Sequence, residues 1–290
     1  MWTASAAPSG MHRKDFILNL NKEDRKIRGE VHLPDSTGPH PVVIICHGFK
    51  GFKEWGFFPH TARSLAQSGL AAITFNFSMN GVGEDPDTFG ELDKFARNTF
   101  SREQEDLQFL IQQLYNRSLP GADFLDIHRV ALLGHSRGGA NSLLFALDHT
   151  DAIHGVILWN SVSRVDFFSD ELKQEIRKKG RATLLNARTG QEMPVDREVL
   201  DDIELHRERF DLLSRLPGFT KPILILQGDK DAAVPIQAAQ DLRNAAPHAD
   251  LHLIHGAGHT FNVVHPFQGS TPQLNEAIEA TTRFLREIFR

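Results

Sequence analysis

A serine set between two glycines is the first place in this chain where residue types and spacing imply chemistry. Residues 130–139 read Val-Ala-Leu-Leu-Gly-His-Ser-Arg-Gly-Gly. A short apolar run, the mark of a buried strand, leads into Gly-x-Ser-x-Gly from Gly134 to Gly138. Leu143, Leu144 and Leu147 then recur at helical spacing. Strand, tight turn and helix with a serine in the turn is the arrangement that lifts a hydroxyl above a sheet as a nucleophile. Side chains at Gly134 and Gly138 would collide there with the neighbouring strand and helix. The helix start that follows aims backbone N–H groups toward any oxyanion formed beside Ser136. An ordinary Gly-rich turn shares this local pattern, so the other parts of a site must be sought elsewhere.

Ester or amide cleavage by serine needs a base, a carboxylate that orients the base, and N–H donors for the oxyanion. Fifteen histidines compete for the first role. His259 stands out because it lies in the Gly-rich run Gly256-Ala257-Gly258-His259, just after the last apolar run of the chain. His252 and His255 lie within or at the end of that run. Residues three apart on a strand point to opposite faces, so these three histidines are not expected to converge on a metal ion. His47 and His135 flank the site in sequence and are expected to orient loops or pack. Two carboxylates, Asp229 and Asp231, follow the run ending near Leu226, and one of them must only cap the turn. Asp231 precedes Ala-Ala-Val-Pro, which places it at the outer part of the loop before the next helix. One oxyanion donor is expected to be the backbone N–H of Arg137, directly after the nucleophile. The second is expected to be the N–H of Phe49, in the His47-Gly48-Phe49 segment that ends an earlier strand. The Arg137 side chain is expected to face solvent or a carboxylate, and no catalytic role is assigned to it.

The elements that must carry these residues alternate along the chain. Residues 15–20 and 27–33 flank a polar turn and predict an antiparallel hairpin at a sheet edge. Residues 42–46 are a continuous β-branched and apolar run, the pattern of a central parallel strand. A helix is predicted over 59–68, a strand over 70–75, and a polar loop over 76–93. Ser101 with Gln104 three residues on reads as a capping box, ahead of the apolar stripe Leu107, Leu110, Ile111 and Leu114. Strands follow over 130–133 and 156–159. From 161 to 215 the rhythm breaks: the segment is highly charged, shows no strand pattern, and reads as helical pieces near 171–179 and 198–213. Strands over 222–226 and 251–254 and helices over 236–244 and from Pro272 onward complete the chain, the last capped by Ser270 or Thr271. Such alternation means a mostly parallel sheet with helices on both faces, in which sites form at the carboxyl ends of strands. Each of the chemically suggestive loops follows a strand.

Composition narrows the class further. At 290 residues and 40% hydrophobic content the chain can bury one large α/β core. A net charge of −5 with no basic stripe argues against a nucleic-acid partner. The single cysteine, Cys46, sits inside an apolar run and is expected to be core packing. No apolar stretch approaches the roughly 20 residues of a membrane span. The first ten residues lack a basic start and a long apolar stretch, so they read as a leader rather than a signal peptide, and the default location is cytoplasmic.

Taken together, the order Ser136, Asp231, His259 resembles that of the α/β-hydrolase superfamily: nucleophile, then acid, then histidine. The His-Gly-Phe-x-Gly segment from His47, the Gly-His-Ser-x-Gly-Gly elbow, the Gly-Asp-x-Asp-x-x-Val-Pro segment from Gly228 and the Gly-x-Gly-His segment from Gly256 all look like that superfamily. Within it, His-Gly-Phe-x-Gly with an insertion before the acid strand is similar to the cinnamoyl/feruloyl esterase and dienelactone-hydrolase-like branch. The resemblance implies an α/β-hydrolase fold with residues 15–160 and 216–290 as core, 161–215 as an inserted helical cap or lid, and 1–14 as a flexible leader. It implies a serine carboxylic-ester hydrolase acting through an acyl-enzyme on aromatic or short-acyl esters. The triad is then Ser136, Asp231 and His259, the oxyanion hole is formed by the N–H groups of Phe49 and Arg137, and no cofactor or metal is needed. The partner is a small-molecule ester, with no nucleic acid and no membrane; the sequence sets no oligomeric state. Two features depart from the branch. Residues 76–83 lack the Asp-x-Arg-Gly opening common at that place, and residues 184–192 match no family role. A serine peptidase or amidase using the same residues is the rival reading, and a non-catalytic binding module on this fold is a more distant one.

Overall fold

The computed structural model of the chain describes residues 12–290. Residues 1–11 of the expected leader lie outside the described residues. Its last two, Arg13 and Lys14, open the first strand. In chain order the strands are β1 (Arg13–Asn19), β2 (Lys26–His32), β3 (His40–Cys46), β4 (Ala71–Phe75), β5 (Leu125–His135), β6 (Gly155–Trp159), β7 (Arg181–Leu185), β8 (Glu192–Asp196), β9 (Ile223–Gly228) and β10 (Asp250–Ile254). The helices are α1 (Phe58–Gln67), α2 (Leu92–Ala96), α3 (Phe100–Tyr115), α4 (Arg137–Asp148), α5 (Asp170–Lys179), α6 (Arg197–Leu205), α7 (Leu212–Arg215), α8 (Ile236–Ala245) and α9 (Pro272–Ile288).

Eight strands form one sheet in the order β1-β2-β4-β3-β5-β6-β9-β10. β1 pairs antiparallel with β2, and β2 antiparallel with β4; every other pairing in this sheet is parallel. One aromatic side chain of the edge hairpin packs across the pair and reaches the core. The Phe16 ring lies over Gly29, where a Cβ would come within 2.2 Å of its Cζ. The central strands are apolar because both faces are covered. Val42, Ile44 and Cys46 of β3 face one layer with α3, α4 and α8, whereas Val43 and Ile45 face the other with α1 and α9. Period-two alternation thus divides one short run between two cores, and each fully buried Val or Ile contributes about 1.5–3 kcal/mol. Cys46 is among these buried residues, and burial pushes its thiol up to about 12, which keeps it an unreactive packing residue.

Register decides where the site can be. Cys46 pairs with Gly134, His135 with Trp159, Trp159 with Leu226, and Gly228 with Ile254. The carboxyl ends of β3, β5, β6, β9 and β10 are therefore level, and the loops carrying Phe49, Ser136, Asn160, Asp231 and His259 leave one edge of the sheet.

Three local expectations need correction. The segment between β6 and β9 is not wholly helical: β7 and β8 form a separate antiparallel hairpin in which Thr183 pairs with Pro194. Its inward positions, Ala182, Met193 and Val195, are buried against α5 and α6. A five-residue strand in a charged context is too short for its alternation to stand out. The helix expected over 198–213 is split into α6 and α7. In addition, α3 is capped by Thr99, whose hydroxyl accepts from the Arg102 N–H at 3.1 Å, and not by Ser101. The Ser101 hydroxyl instead reaches Asp202 of α6 at 2.5 Å, and Gln104 reaches Asn141 of α4 at 3.0 Å. At the C-terminal helix, of the two caps expected, Thr271 accepts from the Leu274 N–H. Among the described residues no helix is long and apolar enough to cross a membrane.

Candidate active site

Ser136 ends β5 and begins α4 with φ +57° and ψ −122°, a region that non-glycine residues rarely adopt. The glycines around it are sterically required. A Cβ on Gly134 would lie 2.1 Å from the Gly138 carbonyl oxygen, and one on Gly138 would lie 2.2 Å from the Cys46 carbonyl oxygen. The elbow is thus wedged between its own helix and β3. Half-buried Ser136 is tied at its N–H to the Trp159 carbonyl at 2.9 Å.

Of the two loop carboxylates, only Asp231 meets His259: His259 Nδ1 lies 2.8 Å from Asp231 Oδ2. The Asp231 side chain is 0% exposed, and its Oδ1 accepts from the Ala233 and Val234 N–H groups at 2.8 Å each. Burial pushes its pKa up, but the bonds from His259 and these two N–H groups prevail and hold it below the ordinary carboxylate range. A carboxylate at Nδ1 selects the tautomer with the proton there, leaving a lone pair on Nε2. Asp229 takes the other role anticipated for one of the pair. It accepts from the Gly256 N–H at 2.8 Å and faces His255, whose side chain is 94% exposed. His252 pairs with a third carboxylate, Glu276, at 2.7 Å. The three histidines near the last strand therefore each face a different acid.

The loop after β3 lies directly over the elbow. A Cβ on Gly48 would come 3.0 Å from Ser136 Cβ and 3.5 Å from the Arg137 nitrogen. His47 Nδ1 donates to the Gly48 carbonyl at 2.9 Å, and its Nε2 accepts from the Phe77 N–H at 3.1 Å. The Nε2 acceptor requires the neutral ring, and burial pushes His47 down to about 4. The Gly48 carbonyl also accepts from the Gly51 N–H at 3.0 Å. Carbonyl and N–H of one trans peptide point in opposite directions, so these bonds fix the direction of the Phe49 N–H. The loop over 76–83 completes the support. Asn76 Oδ1 accepts from the Lys53 N–H at 2.7 Å, and Asn80 Nδ2 donates to the Gly51 carbonyl at 3.2 Å. The residues that depart from the Asp-x-Arg-Gly pattern thus brace the Phe49 loop.

The Arg137 side chain faces a carboxylate, one of the two directions expected for it. It is 2% exposed, and Nε donates to Glu103 Oε1 at 2.7 Å. Nη2 is as close, at 2.6 Å, but poorly aligned, so that contact is electrostatic rather than a second directed bond. The guanidinium lies 4.0 Å above the Phe100 ring centroid. Beyond it, Phe167 and Phe168 stack at 4.6 Å and meet the Phe49 ring at 5.5 and 5.6 Å. Phe95 also meets Phe49, at 5.3 Å. The first residues of the inserted segment and the Phe49 loop thereby share one aromatic wall. Residues 184–192 form the hairpin tip: Gln191 Nε2 donates to the Phe89 carbonyl at 3.0 Å, and Arg188 lies over Phe52 at 5.6 Å.

The structure brings the loops of Phe49, Ser136, Asp231 and His259 to one edge of the sheet. It adds four residues that the sequence did not single out for the site: Asn76, Asn80, Glu103 and Asn160. Asn160 had a readable clue, an asparagine directly after an apolar strand. Glu103 had none beyond its place on a helix.

Comparison with known proteins agrees with this architecture. Residues 42–270 match the family model described as alpha/beta hydrolase family. A curated relative named "Putative carbamate hydrolase RutD", from Pseudomonas syringae pv. syringae (strain B728a), is 29% identical over 176 residues, spanning 50% of this chain and 66% of that protein. The 2-hydroxy-6-oxononadienedioate/2-hydroxy-6-oxononatrienedioate hydrolase of Pseudomonas sp is 21% identical over 83% of this chain and 89% of its own length. Among solved structures, Est1E from Butyrivibrio proteoclasticus with ferulic acid bound superposes with a TM-score of 0.68 at 20% identity, covering 92% of this chain and 97% of that one. Dienelactone hydrolase from Anabaena variabilis ATCC 29413 superposes with a TM-score of 0.59 at 16% identity, covering 95% and 98%. With the family model spanning most of the chain and the same sheet and elbow in place, this chain belongs to the alpha/beta hydrolase family.

Proposed function

We propose that the protein is a serine carboxylic-ester hydrolase whose triad is Ser136, Asp231 and His259. The observation that carries this reading is the pairing of His259 Nδ1 with the buried Asp231, at the level of the strained Ser136 turn. His259 Nε2 takes the Ser136 proton as Oγ attacks the ester carbonyl. The N–H groups of Phe49 and Arg137 receive the oxyanion. The protonated His259 then gives its proton to the leaving alkoxide, and an acyl-enzyme remains. Water, deprotonated by the same Nε2, attacks the acyl carbonyl, and collapse of the second intermediate returns the proton to Ser136. Asp231 stabilises the imidazolium in both halves.

The inserted segment over 161–215 acts as a lid in this reading. Its Phe167 and Phe168, with Phe49, offer an aromatic wall to the acyl or alcohol group, which favours aryl esters of the cinnamoyl type over polar substrates. The amide-type rival is supported by the carbamate hydrolase name of the RutD relative. A panel of aryl and short-acyl esters set against amino-acid anilides and carbamates separates the two. Labelling with a fluorophosphonate and mapping of the modified peptide tests the nucleophile. Modification at a residue other than Ser136, or faster turnover of anilides or carbamates than of esters, overturns the reading.

A further inference from the structure

The backbone carbonyl of His259 draws two side-chain donors, one from the end of β5 and one from just after β6. The backbone C=O of His259 accepts from His135 Nε2 at 2.8 Å and from Asn160 Nδ2 at 2.8 Å. A carbonyl only accepts, so the His135 proton sits on Nε2, and both lone pairs of the His259 oxygen are engaged. The same Asn160 amide group reaches the Gly258 carbonyl at 3.3 Å. Its Oδ1 accepts from the Gly228 N–H at 2.7 Å, at the end of the strand that leads to Asp231. Asn160 is buried and holds φ +46°, a left-handed conformation that asparagine tolerates better than most residues. His135 is buried as well. Its ring centroid lies 5.1 Å from that of Phe57 and 4.7 Å from that of His259.

We propose that His135 and Asn160 are positioning residues that lock the His259 backbone, so that its imidazole serves Ser136 and Asp231 at once. The proposal rests on the reading of His259 as the base. Three features carry it. Both donors act on the backbone of the one residue that must face two partners. Each donor side chain neighbours the nucleophile or is bonded to the acid loop: His135 precedes Ser136, and Asn160 holds Gly228. The loop over 256–259 has other ties, from Asp229 at the Gly256 N–H, from Asn262 at Gly256 and Gly258, from the Lys230 N–H at Ala257, from the Phe261 N–H at Gly258 and through the His259 side chain to Asp231, but none of them acts on the His259 carbonyl. Without the two donors the His259 carbonyl would keep no hydrogen-bond partner among the described residues. A displacement near 1 Å at a catalytic group costs about 100-fold.

The test uses the full chain and four single variants. Asn160→Gly removes the side chain without straining the left-handed backbone. Asn160→Asp keeps the acceptor for Gly228 and loses both donors. His135→Phe keeps ring packing and loses the donor, whereas His135→Gln keeps a donor near the Nε2 position. Expected is a fall in kcat of about 10–100-fold for Asn160→Gly, Asn160→Asp and His135→Phe, with KM within about threefold, and a smaller fall for His135→Gln. The downfield proton resonance of the His259 Nδ1–H···Asp231 bond should weaken in parallel with kcat. A purely structural role would lower the melting temperature and leave kcat and this resonance in place, which overturns the proposal. Should one variant fail to fold, the His135 and Asn160 series each decide the matter alone. His259→Ala separates the two levels. If it keeps activity, the base assignment fails and the proposal with it. If it is inactive while folded Asn160→Gly and His135→Phe retain kcat, only the positioning role is overturned.

Discussion

Replacing Asp231 by asparagine isolates the charge of the acid from its hydrogen bonds. In the native loop Oδ1 accepts from the Ala233 and Val234 N–H groups, and Oδ2 faces His259 Nδ1. Asparagine can keep its carbonyl oxygen on the two N–H groups, so two of the three bonds persist and the loop stays folded. Its NH₂ then faces Nδ1 and turns that nitrogen into an acceptor. The imidazole proton moves to Nε2, where it blocks removal of the Ser136 proton, and the imidazolium loses its counter-charge. The same lesion in a well-studied serine protease lowers kcat by about 10⁴-fold. That factor corresponds to about 5 kcal/mol of transition-state stabilisation. Asp229→Asn is the matched control. Asp229 also bonds a histidine, but His255 is almost fully exposed and remote from the chemistry, so activity stays within about tenfold of the parent. The assay is kcat/KM on 4-nitrophenyl acetate, with the rate of fluorophosphonate labelling as a second measure and urea unfolding as the check on folding. A greater loss in Asp229→Asn, or activity of folded Asp231→Asn within about tenfold of the parent, refutes the assignment of the acid.

Four further outcomes are expected. Ser136→Ala keeps its fold, loses about 10³-fold or more in kcat and no longer takes the fluorophosphonate at the elbow; retained labelling there contradicts the nucleophile assignment. Replacing residues 161–215 by a short Gly/Ser linker lowers kcat/KM for bulky aryl esters about 10–200-fold more than for acetates, and equal losses on both contradict a role in selection. Asp106→Ala removes the 2.8 Å partner of the buried Arg25 Nη2, although Glu105 stays on Nη1 at 2.6 Å, and frees the Ser78 N–H and hydroxyl, which destabilises the protein by about 1–3 kcal/mol in urea titrations. His47 and His135, pushed by burial to about 4 and about 3, stay neutral in the folded chain while an unfolded histidine protonates near 6.5. Their contribution is complete above about pH 6.5 and is lost as pH falls toward 4, by about 1.4 kcal/mol per pH unit for each histidine; an unchanged urea midpoint between pH 7 and pH 5 contradicts this.

The central sheet was legible because its strands announce themselves by local composition. Residues 42–46, 130–133, 156–159 and 223–226 are apolar throughout, a pattern that only double-sided burial explains. The elbow was legible because sterics leave no residue but glycine at 134 and 138, where carbonyl oxygens lie 2.1 and 2.2 Å from any added Cβ. The hairpin of β7 and β8 was hidden for the opposite reason. Its exposed face carries Arg181 and Thr183, and its inward face carries Ala182 and the half-buried Leu184 and, across the pair, Met193 and Val195. Too few residues alternate there to distinguish a strand from a surface helix.

The side chains around the site resist reading for a different physical reason. Local pattern reports which face of an element is buried, but not what a polar group on that face will meet. His135 meets the His259 carbonyl across 124 residues of chain, Asn160 meets it across 99, and Arg137 meets Glu103 across 34. The first two contacts exist because parallel strands end level, so that residues at the ends of β5 and β6 and in the loop after β10 become neighbours whatever their separation in sequence. A rule for reading sequences follows from that geometry. In a parallel sheet, polar residues one or two positions beyond a buried strand gather at one edge, here the edge that carries Ser136. Asparagine is a strong candidate among them, because its amide both donates and accepts and its backbone tolerates φ above zero. At position 160 it uses all three properties, bonding Gly228 through Oδ1 and His259 through Nδ2 from a left-handed turn. An aspartate could not donate, a serine could not span both loops, and a glycine would have the turn without either bond.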